Sequence, residues 1–205
     1  MKRNVVAIAG LETIKDSEHK VKYFAATFLN NLLTWKKDHP NDDVKILDAR
    51  DYRDRPNPMG DIWVDAKAAF IGIDVMLLST HSDWEGLYVI SKYRKGEIDD
   101  SLRYIDCNTS WDGFTWNPNA CIRIMGCQAG GRFGKKWNTS IAQILANKSG
   151  VLVYAFCDKS SQRRRKDGGY VMVPDTGGYV RFYPKKIIPP TLLENFVGKW
   201  GDFNS

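Results

Sequence analysis

His81 and Cys127 are two side chains of this sequence whose types and settings suit covalent chemistry on a carbonyl group. The apolar run Asp74-Val75-Met76-Leu77-Leu78-Ser79-Thr80 leads into His81. A second run, Cys121-Ile122-Arg123-Ile124-Met125-Gly126, leads into Cys127 and then Gln128-Ala129-Gly130-Gly131. A thiolate is the reactive form of cysteine, so the thiol needs a base or a positive potential to lose its proton. An unperturbed imidazole titrates near ~6.5 and can take that proton at neutral pH. Gly126, Gly130 and Gly131 would let backbone amides approach a developing oxyanion. Exposed amides of a helix expected soon after Cys127 would also favour negative charge there. Taken singly, Cys127 also reads as a small buried hydrophobe and His81 as a turn residue. Their joint placement favours chemistry.

The elements around them must form strands for that placement to hold. Both runs have strand length and stop at polar or Gly-rich turns. In an open α/β sheet, reacting groups collect in the crevice beyond the carboxyl ends of the strands. Val5 to Leu11 reads as a buried strand. Val21, Phe24, Ala25, Phe28, Leu29, Leu32 and Trp35 fall at helical spacing, predicting a helix over 16–38 that is capped by Asp16 or Ser17 and ended by His39-Pro40. His19 and His39 then belong to that helix and its end, leaving His81 at a strand end. Val44 to Ala49 is a second strand, Arg50 to Gly60 a Pro-containing loop and Ile62 to Ile71 a short helix stopped by Gly72.

Leu87 to Ile90 reads as a strand, and Asn117-Pro118-Asn119 as a turn before the Cys127 strand. Trp137 to Lys148 is helical, and Val151 to Cys157 is a last buried strand. Tyr170 to Val173 and Tyr179 to Tyr183 read as a C-terminal hairpin joined across Asp175-Thr176-Gly177-Gly178. The alternation of strands and helices predicts a single α/β domain over 1–205, with a central mostly parallel sheet between helical layers.

Composition agrees. The chain has 205 residues, enough for one domain with a full core, and its 43% hydrophobic and 26% charged content is that of a globular protein. No apolar run has the length of a membrane span. Lys2 and Arg3 precede an apolar stretch, but Glu12, Lys15 and Asp16 follow too soon for a secretion signal, so a cytoplasmic protein with no membrane partner is expected. Cys107, Cys121, Cys127 and Cys157 lack metal-ligand spacing and are expected as reduced thiols, with no metal or cofactor. A net charge of +6 admits an anionic partner but is too mild and dispersed to imply nucleic acid. The dense cluster Arg163-Arg164-Arg165-Lys166 reads as a solvated loop.

The two blocks ending in His81 and Cys127 resemble the caspase-like (clan CD) cysteine peptidases. That group includes caspases, metacaspases, clostripain, gingipain, separase, the CHAT peptidases and toxin autoprocessing domains. The resemblance covers roughly Asp74 to Cys157. It implies a three-layer caspase-like sandwich, with Cys127 as nucleophile and His81 as general base. The Cys127 amide and the backbone at Ser82 would form the oxyanion hole. The family usually has Gly directly after its His; here Ser82 stands there, a bulkier turn that would tilt the amide aimed at the oxyanion.

Many members of the group cleave after basic residues, held by a carboxylate in the primary pocket. Asp158 is the first candidate for that carboxylate, and Asp83 and Glu85 are the second. The Arg163–Lys166 cluster would then be a self-processing site or a site for an anionic activator of the inositol-phosphate kind.

Other chemistries fit less well. A tyrosine-phosphatase loop needs Arg where Phe133 stands, since Arg132 arrives one position early. A phosphate-binding P-loop is approached by Ala129 to Lys136, but it has Ala at the start and Lys136 in place of the magnesium-binding hydroxyl. The rival from another class is a caspase-like scaffold that binds a protein partner without cutting it. Trp84, Trp111 and Trp116 are its candidate anchors.

Overall fold

Strand β1 (Asn4–Ala9) is a continuous apolar run with Val5 to Ala9 fully buried, as a strand covered on both faces requires. The computed structural model describes residues 2–11, 13–15, 21–23, 25–83, 85–90, 92–94, 97–99, 104–131, 139–157, 159–174 and 179–184. After β1 come β2 (Thr13–Lys15), β3 (Val21–Tyr23), α1 (Ala25–Asp38), β4 (Asp43–Asp48), α2 (Pro58–Ala68) and β5 (Ile73–Ser79). Short strands β6 (His81–Ser82), β7 (Leu87–Tyr88), β8 (Lys92–Arg94), β9 (Glu97–Asp99) and β10 (Tyr104–Ile105) follow. The chain continues through β11 (Trp116–Met125), α3 (Ile141–Ser149), β12 (Leu152–Phe156), β13 (Ser160–Arg164), β14 (Tyr170–Pro174) and β15 (Tyr179–Phe182).

Six strands form the main sheet in the order β15-β12-β11-β5-β1-β4. Only β15 runs antiparallel to its neighbour. Each face is covered. Phe28, Leu32 and Trp35 of α1 pack on Val5, Ala7, Ala9, Val75, Leu77 and Met125. On the other face, Ile62 and Trp63 of α2 and Ile141 and Leu145 of α3 meet Val6, Ile8, Met76, Leu78, Ile122 and Ile124. Alternate residues of β1, β5 and β11 thus go to opposite layers, which is why these strands are apolar throughout.

Local chemistry explains most element ends. Phe28, Leu32 and Trp35 recur at helical spacing, and α1 ends where His39 stacks on Trp35 with ring centroids 4.0 Å apart. The residues expected to cap a longer helix, Asp16 and Ser17, lie outside the described residues. Val21–Tyr23 is not helical: it pairs with Thr13–Lys15 as an antiparallel hairpin, in keeping with its β-branched and aromatic residues. Helix α2 starts earlier than the expected Ile62. Asn57 caps it by accepting from the Gly60 amide at 3.3 Å, and Pro58 takes the first turn. The turn expected at Asn117-Pro118-Asn119 is an irregularity inside β11. Two steps of β5, Ile73 to Val75, oppose five of β11, Trp116 to Cys121, with Asn119 at φ 65°.

The C-terminal hairpin is a correction. Tyr170–Pro174 does not pair with Tyr179–Phe182. Instead β14 pairs with β13, and β15 joins the main sheet beside β12. Tyr179, Val180 and Phe182 are all at most 3% exposed, and only a strand sandwiched between two layers can bury neighbours of both parities. The cluster expected as a solvated loop is therefore a β-hairpin, with Arg163 and Arg164 on β13 and Arg165 and Lys166 in its turn.

This hairpin lies alongside α1. Its turn is held by an Arg165–Asp38 ion pair, and the Tyr170 amide donates to Thr34 Oγ1 at 2.8 Å. Met172 reaches into the core layer beneath α1. The ten helical steps from Phe28 to Asp38 rise about 15 Å, and a five-residue strand spans about 17 Å. The hairpin therefore runs from one end of the sheet to the other. No helix among the described residues is long and apolar enough to cross a membrane.

Candidate active site

Strands β5 and β11 are adjacent and parallel, with Ser79 opposite Met125. His81 and Cys127 each lie two residues past that rung, at the carboxyl edge of the sheet. Both end on the α1 side. His81 meets Phe28 edge-on, with ring centroids 5.0 Å apart and planes at 89°. Cys127 meets Ser160 at the root of the hairpin. Both residues are half-buried, so neither is sealed into the core. A hydrogen bond from Asn31 Nδ2 to Ser79 Oγ at 3.2 Å pins α1 to the end of β5. Of the other histidines, His39 sits at the far end of α1, and His19 lies outside the described residues.

The turn after β11 is tight. Gln128 takes a left-handed φ of 53°, uncommon for a residue with a Cβ, and the Gly131 amide closes the turn on the Gln128 carbonyl at 2.9 Å. Gly130 donates to the Phe156 carbonyl at 2.8 Å, and a Cβ at Gly130 would come within 2.8 Å of Cys157 Sγ. The Gly-rich tail after Cys127 is therefore required by close approach to β12. Beneath it, Tyr179 packs on Phe156, and burial pushes its phenol far above the ordinary range.

The turn after β5 joins this one. Ser82, 8% exposed, donates its hydroxyl to the Cys127 carbonyl at 2.7 Å. Its strand β6 pairs with β7, and past Ser82 the Asp83 amide donates to the Gly86 carbonyl at 3.1 Å. In such a ladder the Ser82–Leu87 pair is a non-hydrogen-bonded one, which turns the Ser82 amide away from β7.

Three groups of Ser160 meet the sulfur of Cys127. Ser160 brings its amide to 3.3 Å, its hydroxyl to 3.4 Å and its carbonyl to 3.4 Å from Sγ. Sequence reasoning missed Ser160, which comes 33 residues later and reaches the sulfur only because β12 returns the chain to this edge. The expected helix contribution is corrected in the same way. Helix α3 starts at Ile141, and its first amides are used by Ser140 Oγ and the Ala129 carbonyl. The amide donor at the sulfur belongs to Ser160 instead. Phe28 was visible only as part of an apolar stripe.

The candidate substrate carboxylates separate. Asp83 is occupied structurally: Oδ1 accepts from the Glu85 and Gly86 amides at 2.8 and 3.0 Å, and Oδ2 accepts from the Tyr88 hydroxyl at 2.6 Å. Glu85 is exposed, and Asp158 lies outside the described residues. Arg163, Arg164 and Lys166 are exposed, whereas Arg165 is paired with Asp38 and, at 2.7 Å, with Asp167.

Two of the aromatic anchors, Trp111 and Trp116, are not at this edge. Trp111 meets Trp63 edge-on, Trp116 stacks on Phe114, and Trp116 pairs with Ile73, at the amino end of the strands. Trp84 lies outside the described residues. A cavity of about 700 Å³ also opens at that amino end, lined by Arg3, Asp42, Asp74 and Tyr154 among others. Arg123 forms part of its wall, 9% exposed, with its guanidinium 5.0 Å from the Trp35 ring and 5.5 Å from that of Tyr154. Among the described residues no group of three or more His, Cys, Asp or Glu is arranged to hold a metal ion. Comparison with protein families, curated proteins and solved structures returned no match.

Proposed function

We propose that this protein is a cysteine endopeptidase of the caspase-like type, with Cys127 as nucleophile and His81 as general base. The observation that carries this reading is the shared rung: β5 and β11 pair at Ser79–Met125, and each strand delivers its reactive residue two positions later on the same side. A half-buried thiol beside the Ser160 amide at the carboxyl edge of a parallel sheet is placed for attack on a bound carbonyl.

The chemistry balances without a cofactor. His81 takes the thiol proton as the Cys127 sulfur bonds to the scissile carbonyl carbon, and the carbonyl electron pair moves onto oxygen. The Cys127 amide and the outward Ser82 amide are the donors for that oxyanion. The pair returns as the C–N bond breaks, and the imidazolium gives its proton to the leaving amine. Water then attacks the thioester, losing a proton to His81, and the acid leaves as the thiol is restored. The resemblance implies peptides with a basic residue before the scissile bond as substrates, and gives the Arg163–Lys166 cluster as a self-processing site or a site for a small anionic activator.

Two measurements test this. A small electrophile should alkylate Cys127 much faster than the exposed Cys107, and His81→Ala should slow that reaction. In a peptide-library assay, Cys127→Ala should abolish cleavage, and His81→Ala should lower it about 100-fold or more. Slow, uniform labelling with no cleavage would leave the protein a non-cutting scaffold.

A further inference from the structure

We propose that Ser160 is a positioning residue that holds the Cys127 sulfur in both of its protonation states, and that the α1-bound hairpin sets it in place. This rests on the reading of Cys127 as nucleophile. The geometry is three-sided. The Ser160 carbonyl, 3.4 Å from Sγ, accepts from the neutral thiol, whereas its amide at 3.3 Å and its hydroxyl at 3.4 Å donate to the ionised sulfur. When the proton leaves for His81, the sulfur gives up the carbonyl as its acceptor, keeps the amide and gains the hydroxyl as a second donor. Charge-assisted hydrogen bonds of that kind are stronger than neutral ones, so Ser160 favours the thiolate.

Ser160 owes its place to contacts at the opposite end of its hairpin. The strand leaves Cys127 at Ser160 and reaches its turn at Arg165, which is paired with Asp38 near the end of α1. Thr34 Oγ1 accepts from the Tyr170 amide at 2.8 Å on the return strand. Helix α1 carries Phe28 against His81 at its other end. One helix therefore sets the imidazole through Phe28 and the sulfur's partner through the hairpin. The titratable groups on the segments meeting Cys127 are, among the described residues, His81 from β6, Asp83 and Glu85 from its turn, Tyr88 from β7, Cys157 after β12, Lys159 before β13 and Arg163 and Arg164 on it.

The test follows alkylation of Cys127 by iodoacetamide in the whole chain, site by site by mass spectrometry, at pH 7 and at pH 10. Ser160→Ala keeps the amide and removes the hydroxyl. It should slow labelling about tenfold at pH 7, one charge-assisted hydrogen bond being lost, and leave the rate at pH 10 unchanged, a pH above the ordinary range of thiols, where forming the thiolate no longer limits alkylation. Ser160→Thr should recover the pH 7 rate. With peptide substrate, Ser160→Ala should lower kcat and leave KM near wild type. Equal loss at both pH values, or no loss at either, overturns the role of Ser160 while fast wild-type labelling still supports the peptidase. Wild-type Cys127 labelling no faster than Cys107 overturns both.

Discussion

The Ser82 hydroxyl donates to the Cys127 carbonyl at 2.7 Å. This single bond joins the turn after β5 to the turn after β11, and so ties the segment bearing the imidazole to the segment bearing the thiol. Gly126 makes room for the contact. A Cβ there would fall 2.2 Å from Ser82 Oγ and 2.6 Å from the Thr80 carbonyl oxygen. Ser82 is thus accommodated by a glycine on the opposing strand, and it has a definite structural task.

Ser82→Ala should leave the Cys127 carbonyl without its donor. A lost hydrogen bond costs about 1 kcal/mol, more when the orphaned partner is buried. For a chain of this size that is a fall in Tm of about 2–4 °C. Cys127 alkylation should also slow several-fold, because the turn carrying the sulfur loses its tie to β6. Calorimetry and the labelling rate read the two effects separately, and a variant unchanged in both would show that the bond positions nothing.

Gly126→Ala should be worse than Ser82→Ala. The clash involves the backbone at Thr80, which has no rotamer to give, and overpacking of this kind costs about 1–3 kcal/mol. The double variant Gly126→Ala with Ser82→Gly should recover only part of the loss, since it clears the hydroxyl but not the Thr80 carbonyl. Full recovery in urea unfolding would mean that the side chain alone limits the space.

Acid should loosen the hairpin before it unfolds the sheet. The Gly169 amide, then the nearby Arg165 and Lys37, hold the Asp167 carboxyl below its ordinary value of 3.8. A depressed carboxyl contributes stability that is fully present above its unfolded value and is lost as pH falls through the folded one. Hydrogen exchange at the 165–169 turn should therefore rise below about pH 4 in the wild type, and Asp167→Asn should remove that pH dependence. Because Asp167 is exposed, the effect is confined to the hairpin.

Much of the architecture was legible in the chain itself. Buried parallel strands must be apolar on both faces, so β1, β5 and β11 announce themselves as unbroken runs, and the turn residues that follow place His81 and Cys127 at strand ends. The stripe of Phe28, Leu32 and Trp35 specifies α1 for the same reason. Less legible were segments whose local pattern admits two pairings. Val21–Tyr23 continued the helical spacing yet took a strand partner, and Tyr179–Phe182 could pair with β14 or with β12.

Burial decided the second case: joining β12 puts Tyr179, Val180 and Phe182 between two layers, whereas a surface hairpin would leave one parity in water. The residues around the sulfur were decided only in three dimensions. Ser160 carries no motif, and it reaches Cys127 through the return of the chain along β12, beside β11. The order of residues determines which groups stand at strand ends, because period and turn chemistry are local. Which partner meets each group there is set by packing between elements far apart in sequence.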